Sequence, residues 1–417
     1  MTGEIDGAEL PSIPFMASLT SSQRYTAFGI GLCLLLLLGW WGGSGQDSLN
    51  ETTWNDSGTM AASSIPPVDM NISPPKDSPK PSFPPGAGPS GPVVGDWGLQ
   101  DTVLPNSLTF LSIGDWGRAG KGGQEITAPP LAAWAAATRA SFVVSVGDNV
   151  YVDGVPRGSS PEEVDGIMRS FFSNVYTAPS LSALPFYAIF GNHDYRGDVG
   201  AQVAWKGDPR WRPGYNFTKR WKVGRGVGSS GGGCISAVFT DTSPLISEYL
   251  ETEYAKKHPV LASNVRSADK SAIRAWTLSA LRKAQGSGCS CLLVFGHHPL
   301  YSPGEHSNSE DLIEAYGEAM EEAGVDAYIA GHDHLLGHSR VPGGQVEHVL
   351  TGGGSEIRPK MVPGPETVWV SPIRGFTVHS INATHMATSY IWCQDGQSTG
   401  ALPGRVAFHS LKPLRNK

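Results

Sequence analysis

The chain has 417 residues, 40% of them hydrophobic, which is ample for a buried core. Its 31 basic side chains stand against 38 acidic ones, for a net charge of -7. That balance excludes a general nucleic-acid binder, and any anionic substrate must be attracted locally. Five cysteines are too few for a disulfide scaffold, whereas 52 glycines suit working residues carried on tight loops.

In chain order, residues 1–24 are polar, with acidic Glu4, Asp6 and Glu9 and a closing Arg24. The run from Tyr25 to Trp41, YTAFGIGLCLLLLLGWW, carries no charge and lies at the lower length limit for crossing a bilayer. Arg24 before it and Asp47, Glu51 and Asp56 after it place the N-terminus in the cytosol by the positive-inside rule. The expectation is a cytosolic segment 1–24, a signal anchor 25–43, and a lumenal or extracellular remainder. That expectation describes a single-pass type II membrane protein of the secretory pathway, held to the membrane by its anchor. Cleavage near Gly43, Ser44 and Gly45 would instead give a secreted protein. Sequons at Asn50, Asn55, Asn71, Asn216 and Asn382 all follow the apolar run, in keeping with a glycoprotein. Residues 44–104 are rich in Pro, Ser and Gly and read as a stalk. Beyond the apolar run, Cys234, Cys289, Cys291 and Cys393 allow three pairings that the sequence does not rank.

From Ser107 onward short apolar runs alternate with helical stretches, the pattern of an α/β domain over 105–411. The runs are LTFLSI (108–113), FVVSV (142–146), PFYAIF (185–190), ISAVFT (235–240), CLLVF (291–295) and AYIA (327–330). Helices are expected near 131–140, 161–175, 269–284 and 309–323. After Gly331 the rhythm is mostly strand, ending in RVAFHSL (405–411). The tetrapeptide Gly-Asp-Trp-Gly occurs at 95–98 and again at 114–117, and only the second copy follows a full strand.

Five of the runs end in a glycine followed by polar side chains: GDWG from Gly114, GDNVY from Gly147, GNHD from Gly191, GHHP from Gly296 and GHDH from Gly331. A lone Gly-Asp after a strand is usually a turn or a helix cap. Five such junctions, all able to bind metal, are not explained as unrelated turns, because the C-terminal strand ends of an α/β sheet gather at one edge. They bring together Asp115, Asp148, Tyr151, Asn192, His297, His332 and His334. Seven candidates exceed the four ligands of a structural zinc site, and a carboxylate can bridge two ions. A phenolate oxygen is uncommon on zinc and suits ferric iron.

The ordered set GDWG, GDNVY, GNHD, VFGH and GHDH resembles the signature of the purple acid phosphatases, within the calcineurin-like metallophosphoesterases, and most of all their short, tartrate-resistant type. The resemblance implies a four-layer fold, two mixed β-sheets packed together and flanked by helices. It assigns Asp115, Tyr151 and His334 to Fe(III), Asp148 to the bridge between the metals, and Asn192, His297 and His332 to a second divalent metal (Fe, Zn or Mn). His193 and His306 match outer histidines that touch phosphate and donate a proton. His298 stands where the tartrate-resistant enzymes often have Tyr and is read as a solvent-facing variant without a role. Residues 241–275 match poorly a loop that limits access to the site.

The expected activity is hydrolysis of phosphate monoesters, small molecules or phosphoproteins, at a binuclear centre. A phosphodiesterase or nucleotide pyrophosphatase would use the same ligands. A binding ectodomain without activity would have lost some of them, and none is lost.

Overall fold

The computed structural model describes residues 97–224, 233–394 and 398–415. Among the described residues no helix is long and apolar enough to cross a membrane. This corrects the expectation of a single-pass type II membrane protein. The segments concerned, 1–24 and 25–43, lie outside the described residues, as does the stretch 44–96.

Two mixed seven-stranded sheets form the centre of the fold. The first contains β1 (Leu108–Ile113), β2 (Val143–Ser145), β3 (Phe186–Ala188) and β4 (Trp211–Pro213), all parallel, and continues beyond β1 with antiparallel strands from the C-terminal part of the chain. The second contains β5 (Phe217–Lys222), β6 (Cys234–Phe239), β7 (Cys291–Phe295), β8 (Ala327–Ala330), β9 (Leu336–Ser339), β10 (Glu347–Thr351) and β11 (Thr367–Ser371), in the order β11-β9-β10-β8-β7-β6-β5. In it β6, β7, β8 and β10 run parallel. The strands that complete the first sheet are β12 (Gly375–Ile381), β13 (His385–Trp392) and, after a small ribbon of β14 (Ser398–Thr399) and β15 (Leu402–Pro403), β16 (Arg405–Pro413).

Alternation along each strand explains the layers. In β7, Leu293 and Phe295 enter a core between the two sheets, while Leu292 and Val294 enter one beneath helices. In β1, Phe110 lies between the sheets and Leu111 and Ile113 face the helices on the other side. Both faces of these strands are covered, so they read as continuous apolar runs rather than alternating ones. The outer layers are built by helices such as Gln124–Ala137 and Pro161–Met168 on one side and Lys270–Gln285 and Glu318–Ala323 on the other. The first of these starts before the expected 131 because it takes Pro129 and Pro130 into its early turns. Both lie past the four N-terminal amides that lack intrahelical partners, so each forgoes one amide bond, a cost offset by burial of Pro130, Leu131, Trp134 and Ala135 on the same helix.

The folded domain begins before residue 105. Trp97, from the first Gly-Asp-Trp-Gly copy, packs edge-on to Phe408, and the short helix Leu99–Thr102 follows it, with Thr102 buried. Cys234 and Cys289 form a disulfide between the starts of neighbouring strands β6 and β7, while Cys291 and Cys393 are buried in separate cores.

Candidate metal centre

The parallel strands deliver all five glycine-led loops to one edge, and backbone bonds tie those loops together. Gly114 N donates to Thr351 O, Asp115 N to Gly147 O, and Gly331 N to His297 O, at 2.9, 3.1 and 2.9 Å. Glycine is required at two of the junctions by close approach. A Cβ on Gly191 would lie 2.2 Å from Asp148 Oδ1, and one on Gly331 would lie 2.4 Å from Asp115 Oδ2. No side chain larger than hydrogen fits there.

The predicted residues converge in two groups. In the first, Tyr151 Oη lies 3.1 Å from Asp115 Oδ1, 2.8 Å from Asp148 Oδ2 and 2.9 Å from His334 Nε2. In the second, Asn192 Oδ1 lies 3.1 Å from both His297 Nε2 and His332 Nδ1. Asp148 joins them, because its other oxygen, Oδ1, is 3.5 Å from His297 Nε2. His297 donates from Nδ1 to Val146 O at 2.9 Å, which leaves the lone pair of Nε2 aimed at the second group.

Electrostatics favour cations in both places. Asp115 and Asp148 are buried side by side, and burial together with the Asp148 charge raises the Asp115 pKa well above the usual carboxylate range. Burial acts on Asp148 in the same direction, but the neighbouring His297 and His193, with the His193 amide and the Tyr151 hydroxyl donating to it, favour the ionised form and hold that carboxyl low. Burial, followed by the charges of Asp115 and Asp148, pushes the Tyr151 phenol up. Burial also lowers His334 to about 3 and lowers His297 and His332, which favours the neutral imidazoles whose lone pairs a metal needs. Neutral imidazoles, two buried carboxylates and a phenol within hydrogen-bond distance of one another fit a pair of metal ions. Asp115, Asp148 and His334 place donor atoms within 4.8 Å of one another, as do His297, His298 and His332.

His193 and His306 line a cavity of about 60 Å³ above these groups, with Asp148, Asn192, His332 and His334 in the same wall. His193 donates from Nδ1 to Val152 O at 2.5 Å, and its Nε2 is 4.0 Å from Asp148 Oδ2. His306 Nε2 is 3.1 Å from Arg358 Nη1.

Calcineurin-like phosphoesterases, as a family, match residues 108–336, more than half of the chain. Purple acid phosphatase 7 of Arabidopsis thaliana is 34% identical over 257 residues, covering 60% of this chain and 71% of that protein. The chain belongs to the purple acid phosphatases. Tartrate-resistant acid phosphatase type 5 of Rattus norvegicus is 27% identical, over 70% of this chain and 92% of that one. Among solved structures, GAP50, the anchor in the inner membrane complex of Plasmodium, shares the fold with a TM-score of 0.60 and 23% identity, covering 75% of this chain and 90% of that one.

Several cavity residues of this purple acid phosphatase family member escaped sequence reasoning. Arg196 lies two residues after the third block, Arg358 four residues after the Gly352–Gly354 run, and Glu248, Tyr249 and Tyr254 come from the poorly matching stretch 241–275. That stretch folds into short helical segments whose Tyr249, Leu261 and Val265 are buried, so it is a packed wall of the site. The other correction is His298, which does not face solvent. It is buried, and both ring nitrogens are engaged, Nδ1 with Thr242 and Nε2 with Tyr249.

Proposed function

We propose that this purple acid phosphatase family member hydrolyses phosphate monoesters at an Fe(III)–divalent metal centre. Asp115, Tyr151 and His334 would hold Fe(III), Asp148 would bridge, and Asn192, His297 and His332 would hold the divalent ion (Fe, Zn or Mn). The observation that carries the reading is the single phenol oxygen of Tyr151 in reach of Asp115, Asp148 and His334 at once. A hard anionic oxygen at the meeting point of two carboxylates suits a trivalent ion better than zinc. When bound, the ions would polarise the phosphoryl group and activate water for in-line attack.

The chain's own residues supply the rest. The cavity lined by Asp148, Asn192, His193 and His332 would receive the phosphoryl group. Monoesters, of small molecules or phosphoproteins, are the substrates that the likeness to acid phosphatases supports. His193, anchored through Nδ1, presents Nε2 to the cavity and would pass a proton from that atom to the leaving oxygen. His306 is less suited to that step, since the Arg358 guanidinium occupies its Nε2. The likeness to GAP50 carries the fold alone, and the complete donor set favours an enzyme over a binding domain.

The test is metal analysis with a visible spectrum and p-nitrophenyl phosphate turnover. Expected are about two ions per chain, iron among them, and a coloured, active protein. Tyr151→Phe should remove the colour and keep the fold, and Asp148→Asn should lose both ions. A colourless iron-loaded wild type, or monoesterase activity that survives Asp148→Asn, would sink the assignment.

A further inference from the structure

His298 is the second histidine of the fourth block, buried with its ring 4.4 Å from that of His332 and 4.7 Å from that of His297. Its neighbours determine which nitrogen carries the hydrogen. Thr242 Oγ1 accepts the amides of His297 at 3.2 Å and His298 at 3.1 Å. A hydroxyl oxygen has two lone pairs and one hydrogen, so with both lone pairs occupied Thr242 must donate, and the acceptor at 2.8 Å is His298 Nδ1. His298 therefore bears its hydrogen on Nε2. That N–H points at Tyr249 Oη, 2.6 Å away, and makes the phenol oxygen an acceptor. Tyr249 must then donate its own hydrogen to something else.

Tyr249 lines the catalytic cavity together with Asp148, Asn192 and His332. We propose that Tyr249, oriented by His298, donates its phenolic hydrogen to a nonbridging phosphoryl oxygen of the substrate. The chain of bonds runs from the backbone of the fourth block through Thr242 and His298 to Tyr249, so the same loop that carries His297 also aims this donor. Tyr249 is the group that touches substrate, and His298 is a positioning residue. The inference rests on the reading that this cavity accepts a phosphoryl group.

The experiment uses the full metal-loaded chain, with inorganic phosphate titrated calorimetrically and kcat and KM measured on p-nitrophenyl phosphate. Tyr249→Phe should bind phosphate about tenfold to a hundredfold more weakly, the range for a hydrogen bond to a charged group, with metal content and visible spectrum unchanged. His298→Phe should weaken binding similarly, and the double variant should be no worse than the more affected single one. His298→Gln, whose amide nitrogen can reach Tyr249, should retain most of the affinity. Wild-type affinity in metal-replete Tyr249→Phe, or additive losses in the double variant, would overturn the proposal. Should Tyr249→Phe lose its metals, equal affinities of His298→Gln and His298→Phe would overturn it instead. A wild type that binds phosphate, weakened by Tyr249→Phe, yet turns over no monoester would defeat the proposed activity and uphold the Tyr249 contact.

Discussion

Three of the proposed ligands, Asp115, Asp148 and His332, sit in left-handed backbone with φ of 60°, 53° and 75°. For residues other than glycine this costs about 1–3 kcal/mol each, and local hydrogen bonds offset it. Asp115 Oδ2 accepts the amide of His332 at 2.8 Å, and Asp148 Oδ1 accepts that of His193 at 2.9 Å. The carboxylates thus hold the loops as well as the site. Asp194 does so without being a candidate ligand. It accepts the amides of Gly191 at 2.9 Å and of Asn149 and Val150 at 3.1 Å, and the side chain of Gln202 at 2.9 Å, which staples the second block to the third. Asp194→Asn puts an amide donor against these N–H groups and should cost about 2–4 kcal/mol. A urea unfolding curve reads this directly, and an unchanged midpoint would show that the staple is dispensable. Asp333 is the counterpart in the fifth block, where it accepts the amide of His306 at 3.1 Å and the Ser302 hydroxyl at 2.5 Å.

Among elements, the strand-and-loop units are joined by short backbone bonds at the site, and the second sheet is fastened at its opposite end by Cys234–Cys289. That disulfide closes a loop with a sequence separation of 55 and links the beginnings of β6 and β7, away from the strand ends that carry the site. The double substitution Cys234→Ser with Cys289→Ser should lower stability by about 2–4 kcal/mol, mainly by freeing the unfolded chain. The metal content and turnover of the folded fraction should not change. Non-reducing thermal melts compared with activity below the transition would test this, and a loss of metal at full folding would contradict it. The helical segments of 243–267 show the limit of pattern reading for elements. They are short and mostly polar, and they are held by burial of Ile246, Tyr249, Leu261 and Val265 in the core beneath the second sheet and by bonds such as Asn264 Nδ2 to Tyr195 O and Gly197 O.

For the whole molecule, acid stability is a property of the buried histidines. His379 in β12 is fully buried, stacked on Phe110 at 4.7 Å and bonded to Ser112, Thr377 and Thr388, and burial lowers its pKa to about 3. The folded state keeps this imidazole neutral while the unfolded state protonates it below about 6.5. Its stabilising contribution is therefore intact above pH 6.5 and lost progressively as pH falls toward 3. The loss is about 1.4 kcal/mol per pH unit within that window, so about 2–3 kcal/mol at pH 4.5. His379→Gln cannot titrate. The urea midpoint of this variant should start lower at pH 7.5 and fall less by pH 4.5 than that of the wild type, with metal content matched at each pH. Parallel curves would exclude His379 as the source.

The amino-acid sequence was sufficient for the α/β layering and for the seven converging donors, because both are written in local pattern. Apolar runs broken by glycine mark the strand ends, and in an α/β sheet strand ends meet. The separation of the donors into two groups joined by Asp148 was available from the resemblance, and it agrees with the distances around Tyr151 and Asn192. Tertiary structure alone decided what lies between distant segments. The pairing of Cys234 with Cys289 follows from β6 and β7 being neighbours, and the packing of Trp97 on Phe408 joins the two ends of the domain. Burial of His298 and the place of Tyr249 beside it depend on how a chain segment with no strong periodicity settles over the second sheet. No local pattern encodes that contact, because its energy comes from surfaces that meet only once the sheets have formed.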